Sequence, residues 1–129
     1  MKRTIISLTI FIAFIGVIVG VFIGFLMIGQ NQVLTETIDE IEFASVLDGS
    51  YVGSYQEGRW KNTVEVTIEN GQVTEVIVLD DMTFQDDLLR TLIFERVKQA
   101  SRLDEVDTVS GGTVSSIAYL KAIEDALKP

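Results

Sequence analysis

The chain has 129 residues, a formal net charge of −9, and neither cysteine nor histidine. Without these two residue types it cannot use disulfides, a cysteine nucleophile, Ser–His–Asp catalysis, cysteine-held iron–sulfur clusters or C-x-x-C-H haem attachment, and zinc lacks its usual ligands. The length suffices for one small domain. Because cysteine and histidine are absent, any redox chemistry would require an organic cofactor that the protein binds.

Residues 4–29 form an uncharged run of 26 residues, TIISLTIFIAFIGVIVGVFIGFLMIG. As a helix at about 1.5 Å per residue, this run is long enough to cross the roughly 30 Å hydrocarbon core of a bilayer. It is longer than the apolar region of a secretory signal peptide, and no small-residue cleavage pattern follows it. Every face of the run is apolar, unlike a helix on the surface of a soluble core. The sequence thus predicts one transmembrane helix over 4–29.

The flanking charges predict the orientation of this helix. Lys2 and Arg3 precede it, and acidic residues follow it at positions 36, 39, 40 and 42. The positive-inside rule then places residues 1–3 in the cytoplasm and the remainder of the chain outside the cell membrane. Removing Lys2 and Arg3 from the 10 basic residues leaves 8 against 19 acidic ones, a net charge of −11. That charge disfavours nucleic acid and anionic lipid headgroups as partners of the exported part.

Three glycines within the apolar run, Gly16, Gly20 and Gly24, form two overlapping G-x-x-x-G steps. Such steps allow membrane helices to approach closely, so this face would support a homodimer or a larger complex. Glycine is also common in membrane helices in general, which leaves a monomeric anchor as the alternative.

The remaining chain divides into a stalk and a domain. We expect residues 30–47 to form a juxtamembrane stalk whose helical face carries Leu34, Ile38 and Ile41, and residues 48–129 to form an extracytoplasmic domain. DGSYVGSY, residues 48–55, predicts a turn and a short strand. NTVEVTIEN and QVTEVIVLD alternate apolar and polar residues as half-buried strands do. Asn70-Gly71 between them favours a type I′ hairpin turn.

Two helices are predicted after the hairpin. Residues 86–102 carry apolar side chains at helical spacing, and Asp86 and Asp87 lie at the start, where the helix dipole favours negative charge. The closing segment has a second apolar stripe at Ile117, Leu120, Ile123 and Leu127. Strands and helices are segregated along the chain, which predicts an α+β class: a small antiparallel sheet with packed helices, preceded by one transmembrane helix. The acidic pairs at 80–81 and 86–87 match no EF-hand spacing and are interpreted as a solvated face.

The segment VDTVSGGTVSS, residues 106–116, combines small and hydroxylated residues just before the closing helix. The first N–H groups of a helix have no intrahelical partner, and glycine lets a ligand approach the backbone closely. Gly111, Gly112 and the N–H groups after Thr113 are therefore suited to a phosphate. The structural alternative is that Ser110 or Thr113 is only an N-cap and the glycines a tight turn. The segment is not a Walker loop, because no G-K-[ST] follows.

The run from Asp107 to Thr113, DTVSGGT, resembles the D-x-x-[S/T]-G-A-T flavinylation signature. This signature belongs to the FMN-binding domains of the C subunit of sodium-pumping quinone reductases and the G subunit of Rnf complexes. DGSYVGSY is similar to the D-G-x-Y-x-G opening of that domain, VEVTIENGQVTEVIV to its hairpin, and SSIAYLKAIEDAL to its closing helix. The resemblance covers residues 48–128 in the right order. Gly112 stands where the family usually has alanine.

The resemblance implies that a separate flavin transferase, using FAD and a divalent metal, joins FMN through its phosphate to Thr113. Asp107, Ser110 and Gly111 match the recognition residues, and Gly112 and Ser115 lie beside them. Met82 and Thr83 occupy the region after the hairpin that often touches the flavin in this family. Further candidates for packing on the flavin ring are Tyr51, Tyr55, Trp60, Phe84 and Tyr119, each of which is also accounted for by ordinary packing.

These observations predict a single-pass membrane flavoprotein with phosphate-linked FMN (formally a phosphoprotein). It would act in electron transport between a membrane-side donor and an extracytoplasmic acceptor, as a carrier and not as a stand-alone enzyme. One alternative is an FMN-bearing accessory subunit of a membrane oxidoreductase. Another is an anchored adaptor with the same fold and no flavin.

Overall fold

The computed structural model describes residues 1–128 and confirms the α+β class, with a long N-terminal helix, a three-stranded antiparallel sheet and packed helices. Pro129, the last residue of the predicted domain, lies outside the described residues. The helices are α1 (Lys2–Met27), α2 (Gln30–Thr35), α3 (Asp87–Gln99) and α4 (Thr113–Leu127), and the strands are β1 (Gly49–Tyr55), β2 (Asn62–Glu69) and β3 (Gln72–Asp80).

Helix α1 is exposed along its whole length except at Leu26, which is half-buried. It is long and apolar enough to cross a membrane and fits a single-pass anchor. The helix ends at Met27, two residues before the predicted boundary, because Ile28 is extended and Gly29, with a left-handed φ of 85°, is the N-cap of α2. The homodimer predicted from the glycine face of α1 stays a prediction.

The sheet has the order β1-β2-β3, and β2 and β3 form the predicted hairpin. Asn70 and Gly71 both have positive φ, 53° and 75°, as a type I′ turn requires. Val64, Val66 and Ile68 of β2 are fully buried on the face that packs against the helices. The apolar side chains of β2 therefore face the core, as the alternating pattern predicted.

Helix α4 lies directly against β1 at Gly53. A Cβ at this glycine would lie 2.1 Å from the backbone nitrogen of Ala126 and 2.3 Å from the carbonyl oxygen of Ala122. Only glycine permits that approach, which explains the final glycine of the D-G-x-Y-x-G opening. Leu120, Ile123 and Leu127 of α4 are buried, as the apolar stripe predicted, whereas Ile117 is half-buried.

Helix α3 begins one residue after Asp86, whose carboxylate accepts a hydrogen bond from the N–H of Leu89 at 3.1 Å. This is the N-cap bond that satisfies a free donor of the first turn. The helix ends at Gln99, three residues before the predicted end, and Ala100 is extended.

The segment predicted as a juxtamembrane stalk packs against the domain. Its helix covers only Gln30–Thr35, and Val33 and Phe43 are fully buried in the core. Leu34, expected on the inner face, is 45% exposed, because the chain becomes extended after α2 and the long helical face does not form. The N–H of Asp39 donates to the buried carboxylate of Glu124 on α4 at 2.9 Å. Residues 30–47, which connect α1 to the domain, are thus packed against the domain.

Candidate functional site

The segment before α4 forms a tight turn over residues 109–112. The N–H of Gly112 donates to the carbonyl oxygen of Val109 at 3.0 Å, and Gly111 at the third position has φ 82°. A positive φ at this position is the requirement of a type II turn and favours glycine. The space where a Cβ at Gly111 would point holds none of the described atoms within 4 Å. The backbone at Gly111 is therefore open to a bound group.

Two side chains, exposed Arg96 and buried Ser116, form hydrogen bonds with the backbone of this turn and of the residues before it. Arg96 of α3 donates to the carbonyl oxygens of Asp107 and Thr108 at 2.9 and 2.8 Å. The hydroxyl of buried Ser116 accepts from the N–H of Val109 at 3.0 Å and donates to the carbonyl oxygen of Gly112 at 2.7 Å. The start of α4 is consequently fixed before any ligand arrives.

Gly112 is the N-cap of α4, and Thr113 is its first residue. The alternative in which Ser110 or Thr113 is the N-cap is not what the structure has, since within residues 1–128 no side chain caps this helix. The first intrahelical bond runs from the N–H of Ser116 to Gly112 at 2.9 Å. The N–H groups of residues 113–115 therefore remain available, at the positive end of the helix dipole.

The hydroxyl groups of the motif differ in accessibility. Thr113 and Ser110 are exposed, Ser115 is half-buried, and Ser116 is buried with its oxygen already in two hydrogen bonds. Asp107 is exposed at the start of the motif. Thr113 thus combines an accessible hydroxyl with a position on the first turn of α4, next to the available N–H groups.

A cavity of about 420 Å³ lies beside Thr113. It is bounded by the end of α1, by α2, by the turn before β2 and by the motif, through Met27, Gln30, Leu34, Arg59, Trp60, Gly111, Gly112, Thr113, Val114 and Ser115. This size is within the range of small-molecule sites. Arg59 supplies the only charge among the described residues that line it. In an acidic domain, a cavity with a single cation and a helix N-terminus suits an anionic group.

The aromatic candidates are distributed over several parts of the domain. Trp60 lines the cavity beside Thr113, with the guanidinium of Arg59 4.1 Å from its ring centroid. Tyr51 lines a different cavity at the opposite end of α4, beside Leu127. Tyr55 and Tyr119 are outside the lining of the Thr113 cavity, and Phe84 is 64% exposed on a left-handed backbone, φ 60°. The structure therefore brings only Trp60 of this set to the motif.

Met82 and Thr83 lie on the chain between β3 and α3. Met82 is buried, whereas Thr83 is exposed and its N–H donates to the carbonyl oxygen of Arg59 at 3.0 Å. This bond brings the segment next to a residue of the cavity, although neither side chain lines it. Their contact with flavin stays a prediction.

A hydrogen-bonded cluster around Asp81, the residue after β3, connects the sheet to α3 and α4. The hydroxyl of buried Tyr119 donates to Asp81 at 2.6 Å, and Arg90 of α3 pairs with the same carboxylate. Burial, and then the hydrogen bond to Asp81, raise the pKa of Tyr119. Phe94 packs edge-on against the Tyr119 ring, with centroids 5.2 Å apart. This cluster connects α3, which carries Arg96, with α4, which follows the motif.

Several residues of the site were not predicted from the sequence. Arg59, Arg96 and Leu89 reach the motif from distant parts of the chain. Met27 comes from the end of α1, and Gln30 and Leu34 come from α2. The G-R-W sequence at 58–60 was the available signal for Arg59, since it places a cation beside an aromatic residue. The other contacts depend on tertiary packing.

The comparisons with known proteins identify the family of the chain. The family model described as "FMN-binding domain" matches residues 58–128, from the turn before β2 to the end of α4. A comparison with curated proteins gives no significant match. The exposed Thr113, the open backbone at Gly111 and the cavity beside Arg59 suit the phosphate of FMN. The chain belongs to the FMN-binding domain family, with FMN as its cofactor and an N-terminal helix that fits a membrane anchor.

Proposed function

We propose that the protein carries FMN covalently on Thr113 and serves as a membrane-anchored electron carrier outside the cytoplasmic membrane. The observation that supports this proposal most strongly is the exposed hydroxyl of Thr113 on the first turn of α4, at the last position of a motif that resembles the flavinylation signature. In its family, that position receives the flavin.

Attachment would be carried out by a flavin transferase with FAD as co-substrate. The Thr113 oxygen forms a new ester bond to the phosphorus of the FMN half of FAD. The pyrophosphate bond breaks, AMP leaves with the bonding electron pair, and the hydroxyl proton is lost to solvent. The exposure of Asp107, Ser110 and Gly111 leaves the matching recognition residues accessible to such an enzyme.

The chain's own residues would then hold the phosphate. The N–H groups of residues 113–115 and the dipole of α4 favour its negative charge by about 0.3–1 kcal/mol at an exposed site. Arg59 adds a positive charge on the same cavity. Arg96 and Ser116 keep the turn in place, so that little reorganisation is required. The flavin itself supplies the electron-transfer chemistry.

A covalent link is expected in a cofactor site outside the cell membrane, where a dissociated flavin would diffuse away. The charges flanking α1 support that orientation under the positive-inside rule. Electrons would pass from a membrane-side donor to an extracytoplasmic acceptor. An accessory subunit of a membrane oxidoreductase, packed through the glycine face of α1, is the closest alternative.

Denaturing electrophoresis of membranes that also contain a flavin transferase tests the redox proposals against a flavin-free adaptor. A fluorescent flavin band at the mass of this chain, absent in Thr113→Val, is the expected result. An unlabelled band in both proteins would favour the adaptor. Copurification of other membrane subunits with the labelled chain would favour the accessory subunit over the stand-alone carrier.

A further inference from the structure

The end of the membrane anchor contacts the domain closely at the turn before β2. The Nε of Arg59 donates to the carbonyl oxygen of Leu26, in the last turn of α1, at 3.1 Å. A Cβ at Gly58 would lie 2.4 Å from the carbonyl oxygen of Ile28, so glycine is needed for this approach. Gly58 also has φ 54°, which favours the same residue. The anchor is thus held against the Gly58–Trp60 turn.

Helix α2 continues this contact toward α4. Val33 is fully buried in the domain core, which fixes the faces of the helix. Gln30 and Leu34 line the cavity beside Thr113, together with Met27 at the end of α1. Gln32, on the same helix, is exposed and lies outside that lining. Part of the cavity lining therefore comes from the end of α1 and from α2.

The chemistry of the lining matches the parts of a flavin. Met27 and Leu34 are exposed and offer apolar surface for a planar ring, whereas Trp60 is buried beneath the Arg59 guanidinium at the edge of the cavity. Gln30 and Arg59 offer donors for the carbonyl oxygens or the phosphate of the flavin. Thr113, the proposed attachment residue, lines the same cavity. Pockets that combine apolar walls with a few polar groups are the usual form of cofactor sites.

From this arrangement we infer that the end of α1 and the adjoining helix α2, residues 27–34, are part of the flavin site. The inference rests on the proposed attachment at Thr113 and extends it: the flavin occupies the cavity that Thr113 shares with the end of α1 and α2. Met27 is the last residue of the apolar helix, so the cofactor lies next to the membrane surface. Its electron partner on that side is then a membrane-bound one, which reaches the flavin where the anchor leaves the bilayer.

The absence of native cysteine allows a direct test with single-cysteine variants of the full-length protein. Leu34→Cys and Gln30→Cys place a thiol on the cavity wall, and Gln32→Cys is the matched control on the same helix. Each is prepared with the flavin attached and, in combination with Thr113→Val, without it. Intact mass establishes flavin occupancy, and the rate of alkylation by a water-soluble maleimide is then measured in membranes.

We expect the attached flavin to slow alkylation of Leu34→Cys and Gln30→Cys at least about tenfold, because a thiol reacts only where the reagent reaches it. Gln32→Cys should react equally with and without flavin. If either wall variant failed to take up the flavin, the other would decide the matter. Equal rates at both wall positions, with the flavin present by mass, would overturn the inference and leave the attachment intact. Slowing at Gln32→Cys as well would also overturn it, since the protection would not be local. Absence of flavin from the wild-type chain would remove the proposed function and the inference together.

Discussion

Leu89 of α3 fills the space beside Gly112, the N-cap of α4. A Cβ at Gly112 would lie 1.7 Å from Cδ1 of Leu89 and 3.0 Å from its Cγ. The alanine that the flavinylation signature usually has at this position therefore has no room unless Leu89 moves. The glycine is thus matched to the packing between α3 and α4.

This packing predicts the cost of restoring the alanine. We expect Gly112→Ala to lower the free energy of unfolding by about 1–3 kcal/mol through overpacking against Leu89. Leu89→Ala alone should cost about 2–3 kcal/mol, since it removes a buried side chain. The double variant should cost clearly less than the sum, as expected for residues in contact. Urea unfolding of the four proteins in detergent measures the coupling, and strictly additive costs would contradict it.

Arg96 is expected to support flavin attachment by holding the carbonyl oxygens of Asp107 and Thr108. Arg96→Ala should cost about 1 kcal/mol in stability, the usual value of such hydrogen bonds. If the same energy of about 1 kcal/mol is lost from the transition state of flavin attachment, the attachment rate falls by up to about fivefold. The initial rate of flavin incorporation by a flavin transferase measures this effect.

Lys98→Ala provides the control on the same helix, because Lys98 pairs with Glu95 at the surface, 2.6 Å away. An exposed pair of this kind contributes about 0.3–0.5 kcal/mol. Equal attachment rates for the two variants would show that Arg96 has no special role at the motif.

The two tyrosines with raised pKa values are expected to differ in their contribution to stability. The hydroxyl of Tyr119 donates to Asp81, whereas the buried hydroxyl of Tyr55 has no hydrogen-bond partner among residues 1–128. Tyr119→Phe removes a partner of a half-buried carboxylate and should cost about 1–3 kcal/mol. Tyr55→Phe removes only an unsatisfied group and should change stability by less than about 0.5 kcal/mol. The free energies of unfolding of the two variants at neutral pH measure this difference. Similar losses of stability would contradict the conclusion that only the Tyr119 hydroxyl makes a stabilising hydrogen bond.

Tyr55 also predicts a loss of stability at high pH. Burial, and then the charges of Glu36 and Glu57, raise its pKa to about 12 from 10.0. The folded chain holds this proton more tightly than the unfolded chain, so the stabilisation is present below pH 10 and is lost as the pH rises toward about 12. In the Thr113→Val background, the free energy of unfolding should fall over this window. The fall should be smaller in Tyr55→Phe, and curves of equal slope would exclude Tyr55 as a cause.

The elements that depend on local sequence signals were predicted well. The hairpin is an example, since Asn70-Gly71 and the alternation around Val66 specify its turn and its buried face within a few residues. Helix α4 is another, because its apolar stripe is long and regular. The DTVSGGT motif marked the start of this helix, although Gly112 is its cap and not Ser110 or Thr113.

The elements that depend on distant contacts were not predicted. The helical spacing of Leu34, Ile38 and Ile41 predicted a stalk over residues 30–47, yet it is Val33 and Phe43 that are fully buried in the core of the domain. The cavity combines Met27, Arg59 and Thr113, which are far apart in the chain and which no spacing rule connects. Contacts of this kind follow from how α2 and α4 pack, and not from any local pattern.

The intact mass of the chain isolated from membranes that contain a flavin transferase tests the central claim most directly. We expect the wild-type chain to be heavier by one FMN minus one water and Thr113→Val to be unmodified. The exposed Ser110→Ala, as a matched loss of a hydroxyl in the same turn, should retain the addition even if it forms more slowly. An unmodified wild-type mass, or an addition that persists in Thr113→Val, would contradict the assignment of Thr113 as the flavin-bearing residue.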